Sequence, residues 1–150
     1  MPYQWTPYVM PMIAGAVLSV GLALFTWRRS RISKAFSVLT LALAEWSAAY
    51  VMELLGTQVA TKLVWAKVQY AGIVVVPVAW LVFALRYGNR ARPVRRRTLV
   101  LLSIIPVITA GLAWTNHLHQ LMIQDVVLRT GSVFTVLDVT RGPWFWVHVT

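Results

Sequence analysis

Glutamates and a lysine stand inside long apolar runs of this chain, where ionised side chains are costly. Glu45 and Glu53 fall in the run from 35 to 55. A carboxyl group there should face other protein, pair with a cation or hold a proton. On a helix, Glu45, Ala49 and Glu53 share one side within about 80°. We expect Glu45 either to make structural hydrogen bonds or to sense a ligand or a proton.

A pairing is predicted between Glu53 and Lys67. Glu53 closes one apolar run and Lys67 comes one turn into the next, with a short turn at 56–61 between them. Antiparallel helices joined by so short a turn bring both side chains to a similar depth. The sequence therefore predicts a buried ion pair or a shared polar cluster. The alternative is that each side chain extends separately to the membrane interface.

The run from Lys62 to Tyr87 carries a stripe of aromatic residues that is interrupted by an amide and a glycine. A helix that only anchors a protein in lipid would not need such a stripe. On a helix, its members fall within about 80° of one another: Trp65, Gln69, Gly72, Val76, Trp80, Phe83 and Tyr87. The stripe either packs against neighbouring helices or lines a buried pocket or a moving interface. Our ligand or signal candidates are Trp65, Gln69, Gly72, Trp80 and Glu45. Pro77 and Pro106 each remove a helix hydrogen bond and predict kinks.

No enzyme signature is present in the sequence. His117 and His119 form an H-x-H pair, but a metal site needs more ligands, and only distant His148 and the aspartates could supply them. The sequence contains no spacing typical of a Ser-His-Asp triad. It also lacks the nucleotide-binding motifs G-x-G-x-x-G and P-loop and the zinc-protease motif H-E-x-x-H. We predict no catalytic residue, no metal and no cofactor.

Composition places the chain among membrane proteins. It has 150 residues, of which 59% are hydrophobic and 12% charged, with a mean hydropathy of +0.67, whereas soluble domains carry about 25% charged residues. The absence of cysteine excludes disulfides and thiolate metal sites. The net charge of +10 is concentrated, since ten of the fourteen basic residues lie in the segments 28–34 and 86–97. We do not expect nucleic-acid binding.

The apolar runs predict an all-α, polytopic membrane bundle. Helices are expected at about 7–27, 35–55, 63–86 and 98–115, and a fifth begins at 143 and is incomplete at 150. Two β-branched runs within about 120–140, separated by an R-T-G-S turn, predict an extracytoplasmic β-hairpin. Such a hairpin is only marginally stable in water, so it should lie against the helix ends.

The basic segments predict the orientation of the bundle. Two helices separate the segments, so both lie on one side, which the positive-inside rule assigns to the cytoplasm. The N-terminus is then outside. Side chains expected to set this orientation and to meet anionic lipid headgroups are Arg28, Arg29, Arg31, Lys34, Arg95, Arg96 and Arg97.

Several stretches together resemble the N-terminal seven-helix sensor region of prokaryotic sensor histidine kinases. They are W-A-K-V-Q-Y-A-G from Trp65, W-L-V-F-A-L-R-Y from Trp80, Glu53, T-N-H after the fourth helix, and G-P-W-F-W-V-H from Gly142. The resemblance covers nearly the whole chain. It implies signal reception in the membrane and transmission to cytoplasmic modules through helix movement. The chain departs from the family in having about four of seven helices and no kinase module.

The leading interpretation is therefore a signal-sensing domain in a prokaryotic cytoplasmic membrane, with no enzyme activity of its own. Its partners would be the bilayer, anionic headgroups and downstream signalling modules, and a homodimer is left open. The alternative is a small transporter or channel subunit built around Glu45, Glu53 and Lys67, or a structural membrane protein.

Overall fold

The chain folds into a helical bundle that carries one β-hairpin. The computed structural model describes residues 3–29, 31–88, 94–130 and 135–149. A short 3-10 helix at Pro7–Val9 precedes α1 (Met10–Thr26), α2 (Arg31–Leu55), α3 (Val59–Gly88), α4 (Arg96–Trp114) and α5 (Asn116–His119). Strands β1 (Ile123–Thr130) and β2 (Thr135–Arg141) follow, and α6 (Pro143–Val149) closes the described chain.

Four helices are long and apolar enough to cross a membrane, which confirms the predicted fold class. The segments are Pro7–Trp27, Lys34–Leu55, Val59–Gly88 and Arg96–Trp114. Both α2 and α3 begin four residues earlier than the apolar pattern predicted. A helix continues through polar residues for as long as its backbone hydrogen bonds continue, so hydropathy underestimates the ends of a membrane helix.

The helices are joined in chain order by specific side-chain contacts. Thr26 and Ser37 share a 2.7 Å hydrogen bond between α1 and α2. The Phe36 and Phe83 rings lie 5.6 Å apart between α2 and α3. Pro77 and Pro106 lie inside α3 and α4, whose helical assignment continues through both prolines; the kinks stay predictions.

The β-hairpin packs against the bundle, as its marginal intrinsic stability requires. Strands β1 and β2 are antiparallel, with Val126 opposite Val139 and an irregularity after Ile123. Met122 and Ile123 form a buried cluster with Tyr70 and Val74 of α3 and Ala113 of α4. The hairpin is therefore anchored by apolar contacts to two membrane helices.

Asn116 fastens the start of the hairpin to the end of α4. Its Oδ1 accepts hydrogen bonds from the backbone N–H groups of Met122 at 2.9 Å and Ile123 at 3.0 Å, and its Nδ2 donates to the Ile123 carbonyl at 2.8 Å. At the other end of the hairpin, Gly142 leaves no room for a side chain, because a Cβ there would collide with the Leu121 carbonyl.

Candidate functional site

A polar cluster joins the neighbouring ends of α2 and α3. The Gln69 side-chain amide donates a hydrogen bond to the Glu53 carboxylate. The Lys62 ammonium donates to the backbone carbonyl of Glu53 at 2.8 Å. Lys62 is only 1% exposed, which is rare for a lysine. The short connection at 56–58 positions the cluster, because it returns α3 directly beside the last turn of α2.

The hairpin brings a further charge to this cluster. Arg141, the last residue of β2, lies close enough to interact electrostatically with the Glu53 carboxylate and with the Tyr70 hydroxyl. Tyr70 is buried and also belongs to the apolar cluster that holds the hairpin. The site therefore links residues of α2, α3 and the hairpin.

The structure does not bring Glu53 and Lys67 together. The Lys67 ammonium instead donates to the carbonyl of Trp114, the last residue of α4, at 3.3 Å. Lys67 and Gln69 are two residues apart, and so they point about 160° away from each other on a helix. Since Gln69 faces α2, Lys67 faces α4, where a helix C-terminus offers carbonyl oxygens to a cation.

Glu45 lies against Gly72 of α3, where α2 and α3 are in close contact. A Cβ added to Gly72 would overlap the Glu45 carboxylate and would lie 2.5 Å from the Ala42 carbonyl oxygen. Both Glu45 carboxylate oxygens are buried, and the backbone of Gly72 lies within hydrogen-bonding range of the carboxylate. The two interpretations of Glu45, structural hydrogen bonding and sensing of a ligand or a proton, both stay predictions.

The residues of the predicted stripe on α3 are not all buried against the same neighbouring helix. Gln69 and Gly72 are buried, but Trp80 is 59% exposed. Trp65 is half-buried, and its indole N–H donates to the Tyr3 hydroxyl at 3.0 Å. Packed helices cross at an angle, so the buried side of a long helix changes along its length. Ala79 and Val82 are the residues buried in the later turns.

Of the two histidines after α4, His119 makes local hydrogen bonds. His119 Nδ1 accepts from the Leu121 N–H at 3.1 Å, and the other ring nitrogen, Nε2, lies 3.1 Å from the Thr115 hydroxyl. Within the described residues, no group of three metal-ligating side chains converges. The His148 side chain lies outside the described part of the structure.

The predicted headgroup residues lie in or beside the two basic segments. One segment connects α1 to α2 and the other connects α3 to α4. The exposed ones are Arg28, Arg29, Lys34, Arg95, Arg96 and Arg97, while the Arg31 side chain and residues 89–93 fall outside the described set. The Arg29 guanidinium stacks 4.1 Å above the Phe25 ring.

Comparison with known families decides what this arrangement belongs to. The family model for the N-terminal 7TM region of histidine kinase matches residues 11–150. The chain belongs to this family. No curated protein and no solved structure matches it. Membership in the histidine kinase 7TM family supports a membrane-sensing role, because this region is the sensor of such kinases and not their catalytic part.

Sequence reasoning on this 7TM chain missed three members of the polar cluster. Lys62 is not among the residues predicted to pair with Glu53, although its nine-residue separation from Glu53 across a turn was a usable signal. Tyr70 and Arg141 gave no such signal, because their approach depends on where the hairpin docks. Gln69 was selected from the sequence without its partner.

Proposed function

We propose that this 7TM-family chain is the signal-sensing part of a two-component histidine kinase, which relays an external or intramembrane stimulus by rearranging its helices. The observation that carries the proposal is the cluster of Glu53, Gln69 and Lys62, to which Arg141 connects the hairpin. A stimulus that moves the hairpin changes the electrostatic environment of Glu53. The contact between α2 and α3 then responds.

The interface between α2 and α3 offers a route for such a signal. Gln69 and Gly72 lie about one turn apart on α3. Gln69 contacts Glu53, and Gly72 contacts Glu45. At Gly72 the two helices pack without free space between them. A movement at this contact would therefore shift or rotate α3 as a unit relative to α2. The proposed ligand or signal residues remain Trp65, Gln69, Gly72, Trp80 and Glu45, with Trp80 acting from the exposed face.

The proposed setting is a prokaryotic cytoplasmic membrane with the N-terminus outside. The two basic segments then face the cytoplasm, where they contact anionic headgroups and the downstream signalling modules. The hairpin lies on the outer side. A homodimer fits this proposal, because a signal that crosses the membrane by helix movement can be read as a change between two copies.

The test is kinase output in the histidine kinase that has this chain as its membrane region. Gln69→Leu, Trp65→Leu and Trp80→Leu are each assayed for autophosphorylation with and without inducing conditions. Val64→Leu is the matched control, since Val64 lies on the same helix and is 55% exposed. We expect Gln69→Leu to alter the basal signal most, because it removes the amide that holds Glu53.

Kinase output that stays the same for all three variants, at normal protein levels, would remove the proposed role of this helix in signalling. A change of the same size in Val64→Leu would show that any substitution in α3 perturbs output. That result would also contradict the proposal.

A further inference from the structure

The hairpin and the first turn of α6 are joined by backbone contacts on both sides of Gly142. The Gly142 N–H donates to the Met122 carbonyl at 2.9 Å, and the Trp144 N–H donates to the Leu121 carbonyl at 3.0 Å. A side chain at position 142 would collide with the same Leu121 carbonyl. A hinge needs residues whose φ and ψ are free to change, whereas Gly142 and Trp144 are both held here. The hairpin and the start of α6 therefore form one unit, which we call the hairpin–α6 unit (residues 121–130 and 135–149).

Arg141 makes the charged contact of this unit with α2 and α3. Its guanidinium lies within hydrogen-bonding range of the Tyr70 hydroxyl and interacts electrostatically with the Glu53 carboxylate. The same guanidinium stacks 4.6 Å above the Phe145 ring in the first turn of α6. One side chain therefore interacts with α2, α3 and α6, and it stands where the strand passes into the helix.

The strength of these interactions allows them to be broken without unfolding the bundle. Arg141 is exposed, and ion pairs and cation–π contacts within reach of water are individually weak. The apolar cluster around Met122 and the hydrogen bond from Trp144 to Thr109 hold the unit to α3 and α4 without Arg141. Loss of the Arg141 interactions would therefore let the unit tilt while it stays attached to the bundle.

We infer that Arg141 couples the position of α6 to the state of the Glu53 carboxylate. This inference rests on the proposed function and adds an output to it, because α6 moves together with the hairpin. While Arg141 interacts with Glu53 and Tyr70, the hairpin–α6 unit is held against α2 and α3. A stimulus that withdraws Arg141 or neutralises Glu53 tilts the unit and displaces α6 relative to α3.

The experiment measures distances between spin labels by double electron–electron resonance, in the histidine kinase that has this chain as its membrane region, reconstituted in nanodiscs. This chain contains no cysteine, so labels are attached to introduced cysteines once any cysteine elsewhere in the kinase has been replaced. Val64→Cys with Val147→Cys reports the distance from α3 to α6. Val127→Cys with Val147→Cys reports the distance from the hairpin to α6. All three positions are more than half exposed.

The variants separate the charge of the coupling from the hydrogen bond inside the polar cluster. Arg141→Gln removes the guanidinium. Glu53→Gln removes the negative charge but keeps an oxygen acceptor for the Gln69 amide. Arg129→Gln is the matched control, because it removes the other arginine of the hairpin, which pairs with the exposed Asp138 at 2.7 Å.

We expect Arg141→Gln and Glu53→Gln each to shift or broaden the α3–α6 distance by about 1–2 Å, the usual size of helix displacements at switching interfaces. The two substitutions together should give no further change, because they remove the same interaction. The hairpin–α6 distance should stay the same in every variant. Arg129→Gln should change neither distance.

An unchanged α3–α6 distance in either single variant, additive changes in the double variant, or an equal change in Arg129→Gln would each overturn the coupling. A changed hairpin–α6 distance would also overturn it, because the two segments would not move as one unit. If Arg141→Gln fails to fold, Glu53→Gln decides by itself. Autophosphorylation of the same preparations tests the proposed function separately: distance changes that leave kinase output unchanged would support the coupling and contradict the signalling role.

Discussion

At the scale of single residues, Gly72 marks a close contact between α2 and α3. The added Cβ of an alanine would overlap the Glu45 carboxylate and would stand 3.0 Å from the Trp46 Cβ. Small residues permit such close approach between membrane helices. Glu45 can therefore remain against α3 only while position 72 has no side chain.

Gly72→Ala should consequently destabilise the bundle by about 1–3 kcal/mol, the usual cost of forcing extra atoms into a packed interface. The measurement is unfolding in mixed micelles by titration with a denaturing detergent. Gly111→Ala is the matched control, because its Cβ would meet nothing within 4 Å. It should be neutral or stabilise by up to about 1 kcal/mol through helix propensity. Equal destabilisation by both variants would contradict the close contact.

The Glu53 carboxylate provides a second prediction at this scale. A double-mutant cycle of Glu53→Ala with Gln69→Ala should give a coupling of about 0.5–3 kcal/mol in the free energy of unfolding, because the two side chains share a hydrogen bond. The cycle of Glu53→Ala with Lys67→Ala should be additive within about 0.5 kcal/mol, since Lys67 contacts Trp114 instead. The reverse pattern would restore the ion pair that the sequence suggested.

At the scale of elements, the hairpin depends on its attachments to the bundle. Asn116 makes three hydrogen bonds to the backbone where β1 begins. The Trp144 indole N–H donates to the Thr109 hydroxyl at 3.0 Å, which holds α6 against α4. These bonds fix both ends of an element that is too small to be stable by itself.

Asn116→Ala should therefore release the start of β1. Hydrogen exchange at the Met122 and Ile123 amides should accelerate, because both lose their acceptor, and stability should fall by about 1–3 kcal/mol. Asn116→Asp is the informative comparison, because it keeps the acceptor oxygen for both amides but replaces the donor to the Ile123 carbonyl by a second acceptor, which that carbonyl repels. Unchanged exchange in Asn116→Ala would mean that the apolar cluster alone anchors the strand.

At the scale of the whole molecule, the length of α3 constrains how the bundle sits in a bilayer. Its 30 residues extend about 45 Å, against a hydrocarbon core of about 30 Å. If Arg86 marks one interface, the opposite interface falls near residue 66. Lys62 then lies outside the hydrocarbon and Gln69 just within it. The polar cluster would thus bridge the membrane boundary, where a signal from either phase can reach it.

The proposed orientation can be tested directly because the chain contains no cysteine. Single cysteines at Leu118, which is 74% exposed, and at Arg28 should react differently with a membrane-impermeant maleimide. We expect Leu118→Cys to react in intact cells and Arg28→Cys only after permeabilisation, because the basic segments are retained on the cytoplasmic side. Labelling with the opposite sidedness would invert the proposed topology.

The sequence by itself determined the membrane class, the four spans and the hairpin. Hydropathy and charge act locally, and the cost of placing ionised groups in hydrocarbon leaves few alternatives. Gln69 and Glu53 were also recognisable as polar groups that need partners. Which partner each one takes was decided by tertiary structure, because helix rotation and crossing angle set the contacts between distant residues. For this reason the sequence did not reveal that Lys67 contacts α4 or that Trp80 is exposed. The interaction of Arg141 with Glu53 depends on the position of the hairpin against the bundle.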